Sequence, residues 1–357
     1  MSEGTVVLRY GRAGGTMEPS IRDVARRAGV SAATVSRILN GTAAVSEKKA
    51  QAVREAVEYY SYEPNQFARG LKKQSSRMIG VYFPAVGGSV FDSSYNLELL
   101  KGIEKSLRNR DYSMVLISEN DDYWQRKKKI PKYLEYLRQK KIDGLLLSGL
   151  PNQARDDQVF HQIVEEYPVV YIGKRVHKNG LNVYAQFEQY SVKMIRILYE
   201  QGHRKILFFI SEMHRNHLEA IRRQAHEQMP ELELCSVFSE GFEKTGTEAR
   251  SVIETYVRGQ GCTAVSARGI FEAQILLSAC AQLQLKVPEQ VSVISAEHSR
   301  NEGAVLYPQI SAMYVPVQAM GAGAAELLLD YIEGKEPAEH YIEYETKYME
   351  RDSIRRI

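Results

Sequence analysis

Cysteine, tryptophan and long apolar runs are all scarce in this sequence: of 357 residues three are Cys and one is Trp. Cys235, Cys262 and Cys280 are scattered, odd in number and without metal-ligand spacing. That pattern offers no disulfide framework or zinc site and suits a reducing cytoplasm. No apolar run approaches the ~18 residues of a membrane span, so no membrane partner is expected. Residues 1–16 lack an apolar stretch long enough for a secretory signal. Signatures of catalysis are missing too: no Gly-x-Ser-x-Gly elbow, Walker loop or His-Glu-x-x-His. Three stretches come near to something. Gly321 to Glu326 (GAGAAE) half-resembles a dinucleotide loop but lacks its third glycine, and reads better as a helix face for close packing. His214, His217 and His226 have spacings that fix no metal geometry and read as surface or pocket-edge histidines. Arg126-Lys127-Lys128-Lys129 reads as a solvated helix face. No enzyme, metal or cofactor is expected.

What the chain does have is an uneven charge. The total is +3, yet residues 20–77 carry 11 Lys/Arg against 5 Asp/Glu, a net of +6, while residues 78–357 are net −3. Positive charge gathered in one short segment is an electrostatic footprint for nucleic acid. The same segment begins SIRDVARRAGVSAATVSRILNG. Ile21, Val24, Ala25 and Ala28 recur at helical spacing, with Ser20 as cap and Asp23 completing a capping box. Gly29 permits a tight turn. Ser31 caps a second helix whose Val35, Ile38 and Leu39 face the first, and Asn40-Gly41 stops it. Two short helices around a glycine turn make a helix-turn-helix. A third helix over Ser46–Tyr60, with Ala50, Val53, Val57 and Tyr60 on one stripe, closes the core.

In that geometry the second helix enters the major groove N-terminus first. Ala32, Ala33, Ser36 and Arg37 then meet base edges, while Ser31, Thr34 and the helix N-terminus meet phosphate; Ser20 and Asn40 join the same DNA-facing set. Arg37 can fork onto a guanine's O6 and N7, and alanine methyls suit thymine methyls. Pro64 then opens a segment of about two turns containing Gly70, too short to be a stable helix alone in water.

The run DVARRAGVSAATVSRILNG, then YSYEPNQFARGLKK, then MIGVYFP closely resembles the lactose/galactose-repressor family of bacterial transcription regulators. The resemblance covers nearly the whole chain from about Ser20. It implies a hinge helix that folds on the operator, with Asn65 and Ala68 at the DNA and Leu71 wedged into a central minor-groove step. It also implies a two-lobed effector domain like periplasmic sugar-binding proteins, with crossovers near Gly180, Gln309 and Pro337. No long leucine heptad follows the closing MERDS, so a twofold dimer on a palindromic operator is expected.

Residues 78–357 alternate short apolar runs with amphipathic segments. Strands are expected at Met78–Phe83, Ser113–Ser118, Gly144–Ser148, Val169–Gly173, Lys205–Ile210, Leu234–Phe238, Ala264–Ala267 and Val291–Ser295. Helices are expected between most of them, as at Leu97–Arg110, Tyr123–Lys140, Gln189–Gln201 and Gly246–Gly259. Apolar strands alternating with helices mean parallel sheets covered on both faces, here two doubly wound α/β lobes. The expected organisation is an unassigned leader (1–19), an all-α helix-turn-helix head (20–63), a hinge helix and linker (64–77) and a two-lobed body (78–357). Lobe 1 takes about 78–180 and 310–337, lobe 2 about 181–309 and 338–357. Met17 is read as the natural start, with residues 1–16 a mis-called extension or a disordered arm.

Open parallel sheets bind ligands beyond the carboxyl ends of their strands. That nominates Phe91, Tyr95, Arg175, Arg222, Phe242 and Glu297 for a small-molecule effector, sugar-like or another metabolite. The resemblance supports Phe242 as an aromatic wall and Glu297 where relatives carry a sugar-binding aspartate. Elsewhere the family pattern is broken. Gly269-Ile270 replaces an Asn-Asp pair, Ile221 or Arg222 stands nearest a ligand-gripping arginine, and Gly173 replaces an aspartate. The function expected is a cytoplasmic, effector-controlled repressor. A solute-binding protein of a transport system and an enzyme on the same scaffold are the rivals.

Overall fold

The computed structural model describes residues 20–39, 46–60, 75–83, 90–118, 130–149, 163–173, 180–239, 246–335, 337 and 339–357. The chain divides into two compact units between Gln74 and Ser75. The leader, the hinge segment 61–74 and Asn40 lie outside the described residues, as do Asn65, Ala68 and Leu71.

In the head, α1 (Ile21–Ala28), α2 (Ala32–Leu39) and α3 (Glu47–Tyr60) pack on one small core. The Asp23 carboxylate accepts the Ser20 backbone N–H at 2.9 Å and its hydroxyl at 2.6 Å, which begins α1 and holds Asp23 below the usual carboxylate range. Gly29 at φ +66 ends it in the left-handed region, where a side chain would be strained. The Ser31 hydroxyl accepts the Thr34 N–H at 3.1 Å, occupying a donor that α2 leaves orphaned. Val24, Val35 and Val53, one from each helix, are fully buried. Each contributes about 1.5–3 kcal/mol by leaving water. The Arg27 guanidinium lies over the Tyr59 ring at 3.3 Å and ties the end of α1 to α3.

Among the described residues the body holds two six-stranded sheets. The first runs β11-β5-β4-β3-β1-β2, with β1 (Met78–Tyr82), β2 (Ser113–Ile117), β3 (Gly144–Ser148), β4 (Val169–Ile172), β5 (Leu181–Tyr184) and β11 (Tyr341–Glu343), all parallel. The second runs β12-β10-β9-β8-β6-β7, with β6 (Lys205–Ile210), β7 (Glu233–Phe238), β8 (Ala264–Ala267), β9 (Ser292–Glu297), β10 (Ser311–Tyr314) and β12 (Lys347–Met349). Among the described strands its β10–β12 pairing is antiparallel and the others are parallel. Around the first sheet lie α4 (Ser94–Asn109), α5 (Lys132–Arg138) and α10 (Val317–Ile332); around the second, α6 (Phe187–Glu200), α7 (Arg215–Gln228), α8 (Gly246–Ile253) and α9 (Ile270–Gln282). Each sheet carries a core on both faces, as its continuous apolar strands require.

Eight strands fall where the apolar runs put them; β5, β10, β11 and β12 were not legible, and this moves the crossovers. The chain leaves the first sheet after β5 rather than near Gly180. It returns after β10 rather than near Gln309, and crosses last between β11 and β12 rather than near Pro337. The reason lies in buried polar residues. Asn182 sits in the middle of β5, where its amide donates to the carbonyls of Tyr171 (2.9 Å) and Gly173 (2.8 Å). Ser311 opens β10 fully buried, its N–H donating to the Ser353 hydroxyl at 2.8 Å and its own hydroxyl accepting Arg351 N–H at 2.9 Å. Ser75, Ser76 and Arg77, counted with the linker, belong to the body.

The GAGAAE stretch lies within α10, and its glycine does what close packing demands. A Cβ on Gly321 would stand 2.3 Å from the Leu99 carbonyl, and one on Gly102 of α4 would stand 2.0 Å from the Gln318 carbonyl. Backbone therefore meets backbone where α4 and α10 cross. No helix among the described residues is long and apolar enough to cross a membrane.

Candidate nucleic-acid interface and inter-lobe cleft

Helix α2 is amphipathic in the sense a reading helix needs. Val35 is buried and Ile38 and Leu39 pack on the head core, while Ala33, Ser36 and Arg37, at i, i+3 and i+4, share the opposite face. Ala33 and Arg37 are exposed. Ser31 and Thr34 stand at the positive N-terminal end of α2, their hydroxyls 2.8 Å apart. Ala32 is half-buried, its methyl packed on the head core. Ser20 is exposed at the start of α1, with its hydroxyl bonded to Asp23.

In the body, the ends of the strands and the starts of the following helices bring together an aromatic cluster from both lobes. Tyr95, in the first turn of α4, meets His298 edge to face with centroids 5.4 Å apart, and the neighbouring Ser94 hydroxyl lies 3.2 Å from His298 Nδ1. Tyr190 of α6 packs on the cores of both lobes. Phe187 meets Tyr190 edge-on at 5.4 Å and stacks on His214 at 4.2 Å. Ser211 Oγ holds His214 Nδ1 at 2.8 Å, and Glu188 holds His217 Nδ1 at 2.9 Å.

Burial sets the charge state here. It pushes the Tyr95 and Tyr190 phenols well above their ordinary range, so both stay neutral. It also pushes His298 down to about 4 and His214 down to about 3, the latter helped by His217 and Arg268. Arg268 is spoken for by Glu272 at 3.0 Å. The cluster thus brings neutral aromatic rings together with the paired Glu188 and Arg268 side chains beside them. Among the described residues no group of three His, Cys, Asp or Glu could hold a metal ion.

Of the residues nominated for the effector, Tyr95 lies in this cluster. Phe91 sits on a single 3-10 turn (Val90–Asp92) and is 59% exposed. Arg222 is exposed on α7 and paired with Glu219 at 3.1 Å, whereas Ile221 is buried in the lobe core. Arg175 and Phe242 lie outside the described residues. Glu297 requires a correction. Its side chain has no exposed surface, and its carboxylate faces Arg351 at 2.7 Å and the N–H groups of Asn301 (2.8 Å) and Gly303 (3.1 Å). Donors from Arg351, Asn301 and Gly303 occupy both carboxylate oxygens, so Glu297 holds the turn after β9. Sequence reasoning missed Phe187, Tyr190 and His298. The rule that ligands gather at strand ends would have found the first two had β5 been recognised.

A capped helix-turn-helix ahead of two parallel-sheet lobes defines a DNA-binding regulator with a periplasmic-binding-protein-like body. The family model for bacterial regulatory proteins of the lacI family matches residues 20–65. That for periplasmic binding proteins and the sugar-binding domain of the LacI family matches 84–228, and the periplasmic binding protein-like domain matches 195–354. The chain belongs to the lacI family and is a transcription regulator. The HTH-type transcriptional repressor PurR of Edwardsiella ictaluri is 28% identical over 347 residues, covering 94% of this chain and 96% of that one. The PurR of Escherichia coli O139:H28 is 28% identical over 346 residues, with the same coverage. Among solved structures, the lac repressor dimer bound to operator and the anti-inducer ONPF superposes with a TM-score of 0.74 at 17% identity, covering 95% of this chain and all of that one. The transcriptional regulator CelR–cellobiose complex does so at 0.62 and 23%, covering 94% and 99%.

Proposed function

We propose that this protein is a cytoplasmic repressor that grips a pseudo-palindromic operator as a homodimer and is controlled by a small uncharged metabolite, sugar-like in size, bound between the lobes. The observation that carries the DNA reading is the face of a capped helix opposite Val35, where Ala33 and Arg37 are exposed and Ser36 is half-buried between them. Two such faces related by a twofold axis read two half-sites. Asn65 and Ala68 belong to a hinge that folds on the DNA, and Leu71 wedges its central step. The aromatic cluster supports the effector reading, and the relative solved with cellobiose supports the ligand's size. Tyr307 (96% exposed) and Val305 (83%) support the dimer. They stand on a turn packed against the start of α9, which carries the half-exposed Phe271. The effector controls binding only through a difference in affinity between two lobe arrangements. A basic reading head has no use in solute transport, which sets that rival aside.

Selection of bound fragments from a random DNA pool, with and without a mixture of metabolites, tests this. An inverted repeat should emerge, with enrichment that changes when the metabolites are added. Arg37→Ala should relax preference at one base pair per half-site, at a cost of about 1–3 kcal/mol. Recovery of no inverted repeat at moderate salt overturns the proposal.

A further inference from the structure

The polypeptide coming from the DNA-reading head enters the body at Ser75, and there the Asp143 side chain fastens it. Asp143, in the turn before β3, accepts four hydrogen bonds from three consecutive residues. Its Oδ2 takes the Ser75 hydroxyl at 2.5 Å and the Arg77 N–H at 2.9 Å; its Oδ1 takes the Ser76 N–H at 2.6 Å and the Ser76 hydroxyl at 2.8 Å. Four converging donors can be met only by a group with two oxygens and no hydrogen, which is a carboxylate. Backbone bonds complete the fastening: Asp143 N–H to the Met78 carbonyl at 2.8 Å, and Ser113 N–H to the Arg77 carbonyl at 2.9 Å. Arg77 is held at φ +56, unusual for a residue with a side chain, and its guanidinium lies 4.8 Å from the Tyr112 ring centre.

The location gives this arrangement its meaning. Residues 75–78, 113 and 143 all stand at the N-terminal ends of β1, β2 and β3, whereas the aromatic cluster lies at the opposite, C-terminal ends. Every partner in the fastening belongs to the first lobe. Rotation of that lobe must therefore carry the chain's exit point with it as a rigid body. If residues 75–77 were free, the exit point could wander by about 10 Å, three residues at ~3.3–3.6 Å each.

We propose that Asp143 is a positioning residue for operator recognition: its clasp on Ser75, Ser76 and Arg77 fixes the separation of the two hinges in a dimer and passes lobe rotation to them. This rests on the reading of the protein as a dimeric operator-binding regulator. The two half-sites then act together because each head is held at a defined place, and a loosened tether dilutes the second head near its site.

The test uses full-length protein and the inverted repeat recovered with it, together with versions of that repeat carrying one or two extra central base pairs. Wild type should bind the selected spacing far better than the lengthened ones. Asp143→Asn should lose about tenfold in affinity for the selected spacing and about tenfold of the discrimination against the others. Binding to random-sequence DNA should be unchanged. Spacing tolerance is a property that a mere loss of stability would not alter. The Ser75→Ala/Ser76→Ala double variant leaves the carboxylate with its two N–H donors and should shift both quantities in the same direction by less. Amide exchange at Ser76 and Arg77 reports release of the clasp in each variant. Released amides with unchanged spacing discrimination would overturn the proposal. Failure of the wild type to select any inverted repeat would overturn the operator reading itself, and the clasp's role with it.

Discussion

Arg351→Ala is the sharpest test of how the second lobe is built. The Arg351 side chain is 6% exposed and Glu297 has no exposure at all. The guanidinium lies 2.7 and 3.2 Å from the two carboxylate oxygens and also donates to the Ile310 carbonyl at 2.6 Å. Truncation leaves the carboxylate buried with only the N–H groups of Asn301 and Gly303. Removing one partner of a buried pair costs about 3–5 kcal/mol. For a unit of this size 1 kcal/mol moves the melting temperature by about 2–4 °C, so Tm should fall by roughly 6–20 °C. Removing both charges should restore most of it. In Glu297→Gln/Arg351→Met the amide oxygen can still accept a backbone N–H, and the thioether fills the space, so the loss should shrink to about 1–2 kcal/mol. Urea unfolding of the full chain followed by circular dichroism measures both variants. A loss below about 1 kcal/mol for Arg351→Ala, or a double variant as weak as the single, would refute the assignment of Glu297 to the turn after β9.

Two further outcomes follow from the surface and the cluster. Tyr307→Asp places a charge on an aromatic that is 96% exposed and, in the proposed dimer, should shift the protein toward monomer in sedimentation velocity, with folding unchanged; an undisturbed dimer would place the interface elsewhere. The imidazoles of His298 and His214, held down to about 4 and about 3, are neutral when folded, whereas the unfolded chain protonates near 6.5. Their contribution is therefore fully present above pH ~6.5 and drains as pH falls toward 4 and then 3. The urea midpoint should decline between pH 6.5 and 5, and His298→Gln should flatten that decline; an unaltered slope would refute the buried neutral state.

The head was legible because its signals are local. Ser20 with Asp23, Gly29 and Ser31 act within four residues along the chain, and spacing alone shows which face Val24 and Val35 occupy. The β1, β3 and β6 strands were legible because each is a run of apolar residues buried on both faces. What was hidden depends on distance. Nothing near Glu297 announces that Arg351, 54 positions later, occupies its carboxylate. The short strands β5 and β10 carry Asn182 and Ser311 inside the protein, polar residues that pattern reading assigns to loops. With β5 missed, Phe187 and Tyr190 could not be seen as residues following a strand. Asp143 carried no signal at all, because its donors arrive from 66–68 residues earlier.

The crossing of α4 and α10 bears on how the protein is made. Gly102 and Gly321 press two backbones together across more than two hundred positions of sequence, and α10 fills the middle of the first lobe's core. A ribosome must therefore deliver nearly the entire polypeptide before the earlier lobe can close. Any nascent chain stopped short of Val317 exposes the apolar surface of Leu99, Ile103 and Leu107 to water, a target for chaperones and proteases.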